Sequence, residues 1–136
     1  GIFELSGSTT SALTDILVNP AVKASGNLID FQVANASKFK VNYLGCIYEN
    51  RTITAAGTTG NQTIDKPAGT VNIAAAGTTV TVTNSLVDAN SIIHCVLRTN
   101  DATATIKNVV PGAGSFVINL GAAATAEVSI GFLVTN

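Results

Sequence analysis

Titratable side chains are scarce in this chain. It has one histidine, and charged residues make up only 11% of it. General acid–base catalysis needs ionisable groups whose surroundings move their pKa values apart. A chain so short of them is poorly equipped for that work, and it reads as a non-enzymatic protein without a cofactor. Its formal net charge of -1 gives no basic footprint for nucleic acid and no polybasic signal for an anionic membrane surface. No apolar run approaches the roughly 18–20 residues of a membrane span. The N-terminus lacks a basic stretch followed by an apolar one, so neither a signal peptide nor membrane insertion is expected. Methionine and tryptophan are absent. The missing methionine means either that an initiator was trimmed ahead of Gly1 or that the sequence is an excerpt of a longer chain.

The few reactive groups form no motif. His94 is followed by Cys95, but adjacent residues of a strand point to opposite faces, so the two make no nucleophile–base pair. Glu4, Asp15, Asp30, Glu49, Asp65, Asp88, Asp101 and Glu127 are widely spaced. They read as solvated turns and strand faces. Asp88-Ala-Asn90 begins like a calcium loop but lacks the third oxygen ligand and the glycine that should follow. Gly112-Ala-Gly114 is no nucleotide loop, because a strand follows it rather than a helix. No metal site is expected. Cys46 and Cys95 are the only cysteines; they can pair, but the apolar alternation around Cys95 favours a buried free thiol.

What is present is a β-forming composition. Hydrophobic residues make up 46% of the chain, chiefly Ala, Val and Ile among Thr, Asn, Ser and Gly. Ile29, Phe31 and Val33 alternate with polar residues, as do Phe39, Val41 and Tyr43, around a short turn at Ala34-Asn35-Ala36. That is the pattern of a β-hairpin with one apolar and one wet face. Ala12–Val18 reads as a short helix or strand. The small-residue stretch 55–62 reads as a linker. Thr52–Thr59 weakly echoes Asn72–Thr79, which suggests strand–turn units of similar build. Further strands are centred on Val71 and Ile73, Val80 and Val82, Ser91–Thr99, Thr103–Val110, Phe116–Leu120 and Val128–Val134, with Pro111-Gly112 expected to stop the fourth. The expectation is therefore an all-β chain. An N-terminal arm and hairpin occupy 1–54, a linker 55–62, and a six-strand antiparallel sandwich or small barrel 63–136.

Domains this small bury little surface on their own. The 63–136 module holds only two phenylalanines, Phe116 and Phe132, and no metal cluster or disulfide framework supports it. Self-association is the remaining route to burial. The hairpin face of Ile29, Phe31, Val33, Phe39, Val41 and Tyr43 is the candidate subunit interface, laid against its own copies around an axis.

Several segments also resemble a known class of proteins. Asn27–Val33 followed by Ser37–Val41, Thr63–Ile73, Val82–Val87, Arg98–Thr103 and Ala124–Phe132 resemble segments of bacteriophage tail fibres and other virion spike or decoration proteins. The resemblance covers roughly residues 27–136. It implies a homotrimer located in the virion, in contact with other tail or capsid proteins; it identifies no receptor, and a host surface glycan is left open as a further partner. It leaves open a fibre or spike that presents a recognition tip and a capsid decoration protein that would clamp the shell through the arm Gly1–Gly26. A glycan-cleaving tailspike fragment is the third alternative. If a receptor site exists, the turns at Asn84–Asn90, Asn100-Asp101 and Pro111–Gly114 are the candidates, since loops at the end of a rigid sheet carry recognition.

Overall fold

The structure, a computed structural model, describes residues 25–136. The expected element at Ala12–Val18 and the arm Gly1–Gly26 up to Ala24 lie outside the described residues. The chain divides into two compact units, Gly1–Tyr48 and Glu49–Asn136. It is all-β, with three sheets and no helix among the described residues.

The first unit is organised by a hairpin. Strand β1 (Asn27–Val33) pairs antiparallel with β2 (Ala36–Asn42), and β3 (Ile47–Glu49) lies on the other side of β2. The loop is shorter than the sequence implies. Only Ala34 and Asn35 lie between the strands, with φ of 50° and 61°. Positive φ at both loop positions is the twist that matches two right-handed strands. Ile29 pairs with Val41 and Phe31 with Phe39. The register slips between Phe31 and Gln32, a bulge that lets Val33 still meet Ala36.

The second unit contains two four-stranded sheets. One runs β5 (Gln62–Thr63), β7 (Thr79–Thr83), β10 (Ser115–Leu120), β9 (Ile106–Gly112). The other runs β4 (Arg51–Thr52), β6 (Ala68–Ile73), β11 (Val128–Thr135), β8 (Ile92–Leu97). The longer strands pair antiparallel, as expected. Val80, Val82, Phe116, Ile118 and Leu120 of the first sheet form one buried core with Val71, Ile73, Val128, Ile130, Phe132 and Val134 of the second. Phe116 and Phe132 meet edge to face, with centroids 5.1 Å apart, and so tie one sheet to the other.

Two expectations need correction. Pro111 does not stop β9, which runs through it to Gly112. This strand is the outer one of its sheet, and on its free side the missing N–H of proline costs no ladder bond. Nor does 55–62 behave as a linker ahead of a domain beginning at Thr63. The compact unit already begins at Glu49. Short strands β4 and β5 run parallel to β6 and β7, and the stretch between them lies on the sheet as a strap.

The two echoing segments do form strand–turn units, but their turns differ by one position. In the first, Thr58 N–H donates to Ala55 C=O and Gly57 takes the positive φ. In the second, Gly77 N–H donates to Ala74 C=O and Ala76 takes it, at 62°. An alanine held there carries about 1–2 kcal/mol of strain. Gly77 needs space instead: a Cβ would stand 2.6 Å from Ile73 Cγ2 and 2.9 Å from Ala74 O. Opposite outcomes are expected from exchanging these neighbours. Ala76→Gly should raise the thermal midpoint by a few degrees, on the order of 0.5–1 kcal/mol, and Gly77→Ala should lower it by about 1–3 kcal/mol. Differential scanning calorimetry of both variants checks the pair; equal signs would refute this account of the turn.

Candidate functional site

Two surfaces carry side chains that their own sheet does not cover. The first is the apolar face of the hairpin. Ile29 and Val41 are half-buried, but Phe31 and Val33 are each 63% exposed, and Phe39 is exposed beside them. The rings of Phe31 and Phe39 stack across the strands at 6.1 Å. The structure thus brings five of the six expected interface residues together on paired strands. Tyr43 lies just past the end of β2, in the turn where its N–H donates to Gly26 C=O. Leu44 and Ile47 are also exposed, and the alternation of the hairpin alone gave no signal for them.

The wet face is held by polar contacts. Gln32 Nε2, Ser37 Oγ and Asn27 Nδ2 donate to Asp30 Oδ2. The Gln32 bond first, then that of Ser37, holds the carboxyl below the usual range. Lys40 Nζ sits 5.3 Å above the Tyr48 ring, a cation–π contact. The Tyr48 ring itself stays exposed.

The second surface is an open trough of about 580 Å³ on the outer face of the β4–β6–β11–β8 sheet. Its origin follows from register. Across the sheet His94 pairs with Leu133, Leu133 with Ala68, and Ala68 with Arg51. One step along, Val96 pairs with Gly131 and Gly131 with Thr70. Small outward residues on the two central strands make a low floor. Larger side chains on and just after β8 (His94, Val96, Arg98), Glu49 and Arg51 ahead of the strap, and Ile53 at its start line it as well. A Cβ on Gly131 would stand 3.1 Å from Arg98 Cδ, so the stem of Arg98 lies directly over that glycine.

The strap is fixed by hydrogen bonds onto β6. Thr54 N–H donates to Thr70 Oγ1, Thr54 Oγ1 donates to Thr70 C=O, Asn72 Nδ2 donates to Ala55 C=O and to Glu127 Oε1, and Gly60 N–H donates to Asn72 C=O. Under it the outward-facing Thr70 and Asn72 are 3% and 1% exposed. The strap engages the hydroxyl and carbonyl of Thr70 and the carbonyl and amide nitrogen of Asn72, while Asn72 Oδ1 is buried without a hydrogen-bond partner.

The carboxylates of this unit serve its own turns. Asp65 accepts from Ser85 N–H, which with the Ser85 hydroxyl holds it below the ordinary range. Asp88 accepts from Asn90 N–H, and both oxygens of Glu127 accept from Gly57 N–H. Asp101 accepts from the Thr125 hydroxyl and from the N–H groups of Thr103, Ala104, Thr125 and Ala126, and is held far below the usual carboxylate pKa. Of the turns expected to carry recognition, the one at Asn84–Asn90 is anchored by a fully buried Asn84, whose Nδ2 donates to Lys66 C=O and whose Oδ1 accepts from Leu86 N–H, while Ser85, Leu86, Asp88, Ala89 and Asn90 are exposed.

Cys95 and Cys46 are both free thiols, and Cys46 is exposed. Cys95 points inward with Ile93 and Leu97, and burial pushes its thiol pKa up to about 11. It behaves as a small hydrophobe. His94 points outward on the same strand, with its Nε2 3.4 Å from Thr135 Oγ1. Among the described residues no group of three His, Cys, Asp or Glu side chains converges to hold a metal ion. No family model, curated protein or solved structure matches this chain.

Proposed function

We propose that this chain is a non-enzymatic structural component of a phage virion, a homotrimeric fibre or spike whose second unit is a two-sheet β-sandwich displayed as a host-recognition tip. One observation carries the reading: the hairpin of the first unit presents Phe31, Val33 and Phe39 to solvent on one face. Exposed apolar patches of this kind mark sites of association. A self-complementary ribbon closes most simply around an axis of copies. The mechanism is geometric. Closure buries the hairpin face and stiffens the stalk, and the distal units act together, so that weak contacts with a host glycan gain avidity without new chemistry. The resemblance of the segments between residues 27 and 136 to virion proteins supplies the location.

Sedimentation equilibrium tests the assembly. The wild-type chain is expected to sediment as a trimer. Truncating two aromatic anchors, Phe31→Ser with Phe39→Ser, should weaken association at least about thirtyfold, the scale of an interfacial hot spot. A wild-type monomer at every soluble concentration would remove the proposal. Gold-labelled antibody on purified particles tests the location. Label on tail or spike supports the fibre reading. Label spread over the capsid shell replaces it with a decoration role.

A further inference from the structure

The two outer faces of the second unit are built differently. On the β5–β7–β10–β9 sheet the outward residues are Thr79, Thr81, Thr83, Ser115, Asn119 and Asn108, with Val110 and Val117 among them. Thr79 Oγ1 bonds to Asn119, and Asn119 Nδ2 donates to Asn108 Oδ1, so this face carries a polar ladder suited to water. On the opposite sheet the strap covers β6, but among the described residues of this unit nothing covers β8 and its border with β11. There Ile92 and Val96 are 62% and 61% exposed, and Leu133 and Ile53 are exposed with them.

We infer that this uncovered half of the β4–β6–β11–β8 face packs against a neighbouring copy of the chain, which does for β8 and β11 what the strap does for β6. The inference rests on the reading that the chain self-associates, and adds to it an interface in the second unit.

Charge complementarity selects the occupant. The trough holds Arg51 and Arg98 together with Glu49, while Asp65, Asp88, Asp101 and Glu127 are engaged by their own turns. A surface carrying both signs beside Ile53, Val96 and Leu133 can meet its own copy with apolar residues together and opposite charges opposed. A sugar fits less well. Phe132, the one phenylalanine, tyrosine or tryptophan of the lining, is turned into the core against Phe116, and Thr70 Oγ1 on the floor already accepts from Thr54. Gly131 lets the Arg98 stem lie flat across β11, so that its methylenes join the apolar stripe.

The test uses the full chain by sedimentation equilibrium in four forms: wild type, Val96→Glu with Leu133→Glu, Val110→Glu on the polar outer face, and Phe31→Ser with Phe39→Ser. All three substituted sites point outward, and circular dichroism melts establish that each variant is folded. The Val96/Leu133 variant is expected to associate at least about tenfold more weakly than wild type. The Val110 variant should match wild type. If the Val96/Leu133 variant assembles as wild type does, the face serves a different partner or ligand and the inference is overturned. If the hairpin variant assembles normally while the Val96/Leu133 variant dissociates, the hairpin reading fails and this one stands. A monomeric wild type overturns both.

Discussion

Phe116→Ala is expected to leave the second unit at or below the edge of stability. Phe116 is completely buried near the start of β10 and packs edge to face on Phe132 of the opposite sheet. Truncating a buried phenylalanine removes its transfer free energy and leaves a cavity, together about 3–5 kcal/mol. Lost edge-to-face geometry lies within that sum. The whole unit, Glu49–Asn136, is expected to have only roughly 4–13 kcal/mol of stability for its length. Apart from Phe132 its remaining core is aliphatic, mostly Val and Ile, and β-branched side chains have few rotamers with which to fill the hole. Chemical denaturation followed by circular dichroism should show a midpoint far below wild type, or no folded baseline. Phe116→Leu, which keeps most of the volume, should cost less than about 1.5 kcal/mol. Equal losses for the two would show that the contact between sheets is not what holds this unit.

The sequence discloses the inward half of this core well. Alternation placed Ile93, Cys95 and Leu97 on one face and His94 and Arg98 on the other, and the structure has them so. The hairpin was equally legible, because Ile29, Phe31, Phe39 and Val41 repeat at the period of a strand. The strap was not. Its Ala, Gly and Thr residues read as a flexible connector, since composition reports intrinsic freedom and not the partners that remove it. Those partners, Thr70 and Asn72, are polar residues at outward positions of β6, where alternation predicts exposure. Pro111 was misread for a related reason: proline ends a central strand but is tolerated on the free side of an outer one, and strand order is a tertiary fact.

The trough was invisible for the same reason. Its floor exists because Ala68, Thr70 and Gly131 fall side by side on neighbouring strands far apart in sequence. No window of the chain contains that juxtaposition. A signal is present in retrospect: Gly131 is the small residue in the outward series Ser129, Gly131, Leu133, Thr135 of an otherwise well-filled strand. Glycine within a strand marks close approach, here of the Arg98 side chain.

Asp101→Asn should loosen a whole corner of the second unit, although the side chain is no part of its core. Asp101 lies between β8, in one sheet, and β9, in the other. One oxygen accepts from the N–H groups of Thr103 and Ala104, which turns its own loop. The second accepts from the N–H groups of Thr125 and Ala126 and from the Thr125 hydroxyl, in the loop between β10 and β11. The carboxylate thus clasps two of the connections that pass from sheet to sheet, β8 to β9 and β10 to β11. Thr103 Oγ1 reinforces the clasp by donating to Ala123 C=O, and Gly121 N–H donates to Thr105 C=O. An amide cannot replace it, because its nitrogen would face donors and leave backbone N–H groups unmatched. The thermal midpoint should fall by roughly 5–10 °C, and hydrogen exchange should accelerate at 103–104 and 125–126 while β6 and β10 stay protected longer. The pH dependence separates lost charge from altered shape. The Thr125 hydroxyl bond and the backbone bonds hold the folded-state pKa below its unfolded value, so this stabilisation is complete above the ordinary carboxylate range. It declines as acid drives the pH below about 4, towards the depressed folded value. In the asparagine variant that portion of the acid-induced loss should be missing, and its stability curve should converge on that of wild type as the pH falls. Parallel curves would show that the charge of Asp101 contributes nothing and that the corner is held by its backbone alone.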